Sequence, residues 1–473
     1  MDVTIEIEPL KLSLPDNSLD GNKLEEIILQ TSRDHGCRMM EKMLGIIDEA
    51  LMKTRDKELK LVGLKHKLLN TRMGEVILNR RYYKDREGNY HYLLDKHMGW
   101  EKHQRSSCGY MQEALAQGSQ QSYRRAKEEL AKQTGSLISH ETVRTWVGKV
   151  GSEINQAQSE QAFAVFELGE TIEPSKEVER LFLEADGKWL SVRNKDGVKK
   201  EEMKLGVLYE GWEPRYANGK QDTFKLSGKY AFGGMYSAEE FRARLACLGE
   251  SKAGLSKAKQ IFWGGDGASW CKAGVKDYPQ AIYHLCPFHM HREVRRTFGI
   301  DNRTAKGLQQ LLYESDHQKV RAFLDNCLWG APEQARKKRL RLRKYILNNW
   351  DGILGWRKVR QALGAVAHGY LGAIEGNVDK LLVRRFTDRG ACWSRSGAHN
   401  LALVRLAWTN QELSSVFTWL KTRGHRVLED APQQRKSKLQ EFWRKGSLPA
   451  LQIAISKPWQ RVLKNLVYEV ALP

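Results

Sequence analysis

Apolar positions change their period along the chain, and each change marks an element boundary. Between residues 20 and 70, Ile27, Ile28, Met39, Met40, Met43, Leu44, Ile47 and Leu51 recur at three- and four-residue spacing among charges. This predicts an N-terminal helical region over 1–70 with one buriable face. From Met73 the period shortens toward two: GEVILNRRYY and YHYLL flank a turn-rich segment from Lys84 to Asn89, which predicts a β-hairpin region over 71–100. Tyr123, Ala126 and Leu130 then share one helix face, Thr134, Gly135 and Ser136 interrupt it, and Ser139 can cap a second helix carrying Val143, Trp146, Val147 and Val150 inside. That spacing predicts a helix-turn-helix within 101–155. On its second helix His140, Arg144 and Thr145 face outward, where such motifs read a DNA groove, with Lys149 nearer the phosphates.

An acidic, Gln-rich stretch over 156–177 reads as a linker. Beyond it, EVERLFLEADGKWLSVR, EEMKLGVLYEGW, QIFWGGDGASW and QAIYHLCPFH read as strands and SAEEFRARLACLG as a helix, so 178–290 is expected to be α/β. Helical periodicity takes over across 291–370. A second α/β portion is expected over 371–420, followed by a basic C-terminal region, 421–473.

Composition adds a partner class. The 78 Lys and Arg against 57 Asp and Glu give a formal charge of +21, an excess that favours polyanions, and nucleic acid is the commonest of these. The run Arg336, Lys337, Lys338, Arg339, Arg341, Arg343 and Lys344 concentrates that charge on a helical segment, with Trp350 and Trp356 close behind. Arg336, Lys337, Arg341 and Lys344 are candidate phosphate contacts. The two tryptophans are candidates for base stacking or for the core. No apolar run is long enough to span a membrane and the N-terminus has no apolar leader, so a cytoplasmic, nucleoid-associated protein is expected. P-loop, dinucleotide-fold and HExxH patterns are missing from the sequence, so no nucleotide cofactor is expected.

Three acids stand out by position. Asp186 follows the apolar run Leu181 to Ala185 and reads as a strand end; Asp266 follows Ile261, Phe262 and Trp263 within Gly265-Asp266-Gly267; Glu375 heads an amphipathic stretch containing Leu381, Leu382 and Phe386. Brought together, they would repel one another unless cations sat between them, and hard divalent ions prefer carboxylate oxygens. Glu184 and Asp379 are rival carboxylates.

Leu183-Glu184-Ala185-Asp186-Gly187, Gly265-Asp266-Gly267, Cys286-Pro287-Phe288-His289 and Ile374-Glu375-Gly376 with Trp393-Ser394 downstream resemble bacterial DDE transposases of the ISLre-type insertion-sequence family, related to Mutator-like elements. Ser122 to Ala126 and Ile138 to Val143 are similar to that family's helix-turn-helix. The resemblance runs from about Gly36 to Leu406. It implies an RNase H-like catalytic domain with an all-helical insertion, with Asp186 on the first strand, Asp266 after the fourth and Glu375 on a late helix. It implies two Mg²⁺ ions, with Mn²⁺ as a substitute, held by these three catalytic residues. It also implies DNA cleavage and strand transfer, transposon ends and target DNA as partners, and a homodimer or larger assembly. Arg385 joins the DNA-binding candidates. Cys286 and His289 form an auxiliary motif with too few donors for a metal site of its own, and His291 is a further candidate. Asn377 and Lys380 stand where many relatives carry His. A transposase-derived regulator without strand transfer and an RNase H-like RNA-processing nuclease are the alternatives.

Overall fold

The computed structural model describes residues 20–217, 220–300, 302–364, 371–387 and 390–418, which divide into two units, 20–150 with 412–418 and 151–411. The basic region 421–473 lies outside the described residues.

In the first unit, helix α1 (Gly21–Thr54) starts where the Asp20 carboxylate accepts the Lys23 N–H at 2.8 Å, a side-chain cap for an otherwise orphaned donor. Strands β1 (Lys60–Asn70), β2 (Glu75–Lys84) and β3 (Tyr90–His91) form an antiparallel sheet, and α2 (Leu93–His97) closes it. Leu44, Val76, Leu78 and Leu94 make its core. The expected boundaries shift here. The helical region ends at Thr54, and the main hairpin pairs β1 with β2. Strand β1 is buried only at Lys67, Leu69 and Asn70, so it lacks the alternation that betrays a half-buried strand. YHYLL contributes two strand residues before turning into α2, whose Leu94 fills the core.

Helices α3 (Cys108–Gln120), α4 (Tyr123–Thr134) and α5 (His140–Phe166) follow. Ser122 caps α4, and Gly135 ends it at φ +75°, a conformation that costs a residue with a Cβ. Leu130 and Val143 of the expected helix-turn-helix pattern pack together, with Tyr123 and Trp146 against them, and α3 adds Tyr110 and Ala114 to the cluster. The expected linker begins as helix, because α5 continues to Phe166. Within the second unit its Asn155 accepts from Arg244 at 2.7 Å and its Gln158 from the Tyr236 hydroxyl at 3.0 Å.

The second unit is built on β4 (Arg180–Asn194), β5 (Gly197–Tyr209), β8 (Tyr230–Gly234), β9 (Gln260–Gly265) and β10 (Ala281–Leu285), in the order β10-β9-β4-β5-β8. Strands β4, β5 and β8 run antiparallel in sequence; β9 and β10 run parallel to β4. Strands β6 (Gly211–Ala217) and β7 (Lys220–Ser227) form a separate hairpin. Helix α6 (Ala238–Ala253) packs on β5 and β8, and α7 (Ser269–Ala273) follows β9.

A helical block then intervenes: α8 (Pro287–Phe298), α9 (Arg303–Glu314), α10 (His317–Asn326), α11 (Glu333–Asn348) and α12 (Trp350–Leu363). It starts four residues before the expected 291, since Pro287 suits the first turn of a helix. Helix α12 lies against β10 so closely that a Cβ at Gly355 would meet the Tyr283 carbonyl oxygen at 1.7 Å. The chain returns through α13 (Ala373–Val378), a π turn (Asp379–Val383) and α14 (Arg384–Phe386). Strand β11 (Cys392–Ser394) pairs with β4, and α15 (Arg395–Thr409) covers the sheet. The architecture is mixed α/β.

Candidate metal centre

Asp186 does not end its strand. Strand β4 continues to Asn194, and Gly187 lies so close to the Glu202 carboxylate that a Cβ there would meet it at 2.2 Å and displace that side chain. Something else stops at Asp186: the ladder with β9 ends at the pair Ala185–Gly265, and β11 joins the same edge only at Ser191. Asp266 is the next residue after β9. Parallel neighbours ending in register therefore set Asp186 and Asp266 side by side. The Asp266 loop is held by its own carboxylate, which accepts the Ala268 N–H at 2.8 Å, and by the Tyr345 hydroxyl, which donates to its carbonyl at 2.9 Å.

Glu375 lies in the first turn of α13 and His289 in the first turn of α8. The imidazole stands between the acids: Nδ1 is 2.9 Å from Glu375 Oε1, and Nε2 is 4.0 Å from Asp186 Oδ2. Two groups of side chains are thus spaced to hold a metal ion. Asp186, Asp266 and His289 form one, and Cys286, His289 and Glu375 the other, each with its donor atoms within 4.8 Å of one another. Burial pushes the Asp186 carboxyl up to about 6; His289 opposes the rise, and the negative charges of Asp266 and Glu375 add to it. The Cys286–His289 pair is not short of donors after all. Its third, Glu375, arrives from across the fold, where no local spacing reveals it.

The rival acids have other partners. Glu184 is 1% exposed; it accepts the Tyr209 hydroxyl at 2.5 Å and the backbone N–H groups of Gly372 and Ile374 at 3.3 and 3.0 Å. Burial holds its carboxyl above the usual range, and those hydrogen bonds oppose the shift. It ties the start of the Glu375 helix to β4, two residues from Asp186. Asp379 pairs with Arg384 at 2.8 Å. Asn377 is buried, accepts from Lys229 at 3.2 Å and donates to the Ala373 carbonyl. The Lys380 carbonyl accepts from Arg405. His291 is half-buried against the rings of Tyr313 and Trp356.

Among the DNA-binding candidates, His140, Arg144, Thr145 and Lys149 are exposed on α5. Arg144 is paired with Glu141, and Lys149 with Glu101 at 2.8 Å. Arg336, Lys337, Arg341 and Lys344 are exposed on α11, with Lys337 bonded to Glu333 at 2.8 Å. Arg339 and Arg343 of the same run instead anchor the helix to the Cys327 carbonyl and the Asp325 carboxylate. Arg341 and Lys344 face a 640 Å³ cavity with Lys272, Gly267 and Ser269, next to Asp266. Arg385 does not belong with them: it is 9% exposed and lies 5.1 Å over the Trp393 ring. Trp356 is core, edge-on to Tyr313 at 4.7 Å, and Trp350 is half-buried against His317. The exposed aromatic rings among the described residues include Trp189, on β4 just beyond Asp186, and Trp329, 87% exposed. Sequence reasoning passed over both, since neither sits in a cationic run.

No described helix is long and apolar enough to cross a membrane. Relatives in sequence are bacterial. One UPF0236 protein of Caldanaerobacter subterraneus subsp. tengcongensis is 24% identical over 413 residues, 85% of this chain and 82% of its own. A second from that strain, whose name joins eleven locus designations, is 24% identical over 465 residues, 96% and 93% of the two chains. The UPF0236 protein in the vanSb 3′ region of Streptococcus gallolyticus is 23% identical over 353 residues, 71% of each. The model of an uncharacterised protein family, UPF0236, matches residues 14–422, and this chain belongs to that family.

Proposed function

We propose that this chain is a DDE-type DNA transposase that cleaves at the ends of a mobile element and joins the freed 3′-hydroxyl to target DNA. The observation that carries the reading is the convergence of Asp186, Asp266 and Glu375, from three separate segments, around one imidazole. The sheet supports it: counted in chain order among the five strands β4, β5, β8, β9 and β10, β4 is first and β9 fourth, the positions an RNase H-like catalytic domain gives its two aspartates. The relative whose name joins eleven locus designations of one strain has the multiplicity of a mobile element, which favours a transposase over a regulator derived from one.

The residues present fit hard cations. Three acids crowd a largely buried space, Asp186 is pushed up to about 6, and bound Mg²⁺, or Mn²⁺ in its place, would relieve that repulsion. Held by Asp186, Asp266 and Glu375, such ions would supply Lewis-acid activation of the attacking and leaving oxygens. The chain does the rest. Arg341, Lys344 and Lys272 bind backbone phosphates beside Asp266, while Glu184 fixes the Glu375 helix to the Asp186 strand. His140, Arg144, Thr145 and Lys149 read and position the element end, and pairing of two ends calls for a dimer or larger assembly near the nucleoid.

The test is cleavage of DNA carrying the element's own termini, with Mg²⁺ and purified protein. Asp266→Asn should lower cleavage by at least ~10³-fold, the scale of several kcal/mol of lost charge stabilisation, with end binding retained. Full cleavage by that variant, or an RNA-only substrate preference in the wild type, refutes the reading.

A further inference from the structure

We propose that Cys286, His289 and Glu375 form a second metal site, selective for a soft divalent cation of the zinc class and distinct from the all-oxygen demand of magnesium. The motif Cys286-Pro287-Phe288-His289 opens α8, so the residue before the helix and a side chain of its first turn point the same way. Both are enclosed: Cys286 is 1% exposed and His289 6%. Glu375 completes the set, all three donor atoms lying within 4.8 Å of one another.

Two further observations call for a cation. His289 Nδ1 and Glu375 Oε1 stand 2.9 Å apart, yet neither buried atom makes a hydrogen bond of acceptable geometry. They are two donors aimed at one space. Cys286 stands immediately before the first turn of α8, a position in which a helix start steadies a thiolate once metal displaces its proton to solvent.

The donor set decides the ion. Thiolate, imidazole and a single carboxylate suit Zn²⁺ in tetrahedral coordination with one position open, whereas Mg²⁺ asks for six oxygens. The site shares His289 and Glu375 with the carboxylate centre. One consequence, which rests on the proposed function, is that Zn²⁺ takes Glu375 away from the magnesium-dependent reaction and inhibits it.

The experiment uses the full-length protein, stripped of metal and titrated with Co²⁺ as the spectroscopic stand-in for Zn²⁺. One equivalent should produce the near-ultraviolet thiolate-to-cobalt charge-transfer band and the intense visible bands of tetrahedral cobalt. Equimolar Zn²⁺ should erase both; a large excess of Mg²⁺ should not. Cys286→Ser should remove the charge-transfer band, and Glu375→Gln, which leaves the helix start intact, should lower Co²⁺ affinity by more than the ~10-fold typical of losing an outer-shell partner. Asp266→Asn should retain both bands. The proposal falls if the wild type shows no charge-transfer band, if the band persists at full strength in Cys286→Ser, or if Glu375→Gln binds Co²⁺ like the wild type. None of these readouts involves DNA cleavage. A missing band therefore overturns this site alone, and a cobalt-binding protein that never cleaves DNA overturns the transposase reading alone.

Discussion

Two buried aspartates, one in each unit, have similar exposure and opposite surroundings. Asp95 is 8% exposed and meets two cations, Lys67 Nζ at 3.1 Å and Arg80 Nε at 2.7 Å. Asp186 is 7% exposed and meets one imidazole at 4.0 Å, with the acids Asp266 and Glu375 nearby. The first cluster is neutralised by the chain itself. The second is short of positive charge, a deficit that a divalent cation would make good. Burial of an acid thus marks nothing by itself; the charge balance around it separates a structural ion pair from a candidate ion site.

The comparison predicts opposite outcomes. Asp95→Ala leaves two buried cations without their acid and should destabilise its unit by about 3–5 kcal/mol, read as a fall in the denaturation midpoint. Asp186→Asn should leave the metal-free protein as stable or more so. A large loss of stability in Asp186→Asn would put both acids in the same structural class.

Glu184 sharpens the boundary between the two kinds of carboxylate. Being almost fully buried and bonded to the Glu375 helix, it positions the centre without belonging to it. Glu184→Gln keeps the shape and should weaken divalent-ion affinity by about 10–100-fold, as losses of outer-shell partners do, with thermal unfolding of the metal-free protein changed little. Unaltered ion affinity would make Glu184 a packing residue only.

The charge deficit also has a pH signature. An acid whose folded pKa rises from 3.8 to about 6 binds its proton more tightly in the folded state. The folded protein then carries more protons than the unfolded chain between those values, and stability falls as pH rises through that window. For Asp186 the loss should be about 1–3 kcal/mol without divalent ions, and added Mg²⁺ should flatten it. A metal-free stability that rises over the same interval would show that Asp186 is compensated as Asp95 is.

The smallest effect separates the cationic helices. Arg144 and Lys149 are each paired with an acid, whereas Arg341 and Lys344 face the cavity beside Asp266. Changing Arg341 and Lys344 together to Gln should reduce the slope of log affinity against log salt by about 2, roughly 0.9 per phosphate contact, with sequence preference intact. Arg144→Ala should instead cost about 1–3 kcal/mol of discrimination at one base position. An unchanged salt slope in the double variant would leave the cavity without a phosphate-binding role.

Legibility in the sequence followed the range of the interactions. The α4–α5 hairpin was readable because helix caps, Gly135 and the apolar spacing act within a few residues. Strand β1 was not, because both its faces are mostly solvated and no alternation records the pairing with β2. Asp186 and Asp266 were identifiable from apolar runs meeting an acid beside glycine. That Asp186 sits in mid-strand was hidden, since Gly187 answers to the Glu202 side chain across the ladder rather than to a turn.

By itself the sequence determined the alternation of helical and extended segments, the positive excess, and the three acids in their order, all of which arise from residue chemistry and short-range periodicity. Only the tertiary structure decided which acids meet. It sent Glu184 to the start of a helix, Asp379 to Arg384 and Arg385 over the Trp393 ring, and it brought Glu375 to His289 and Cys286. The physical reason is that charge balance in a buried site is summed over side chains from distant segments, and no local pattern in the chain records that sum.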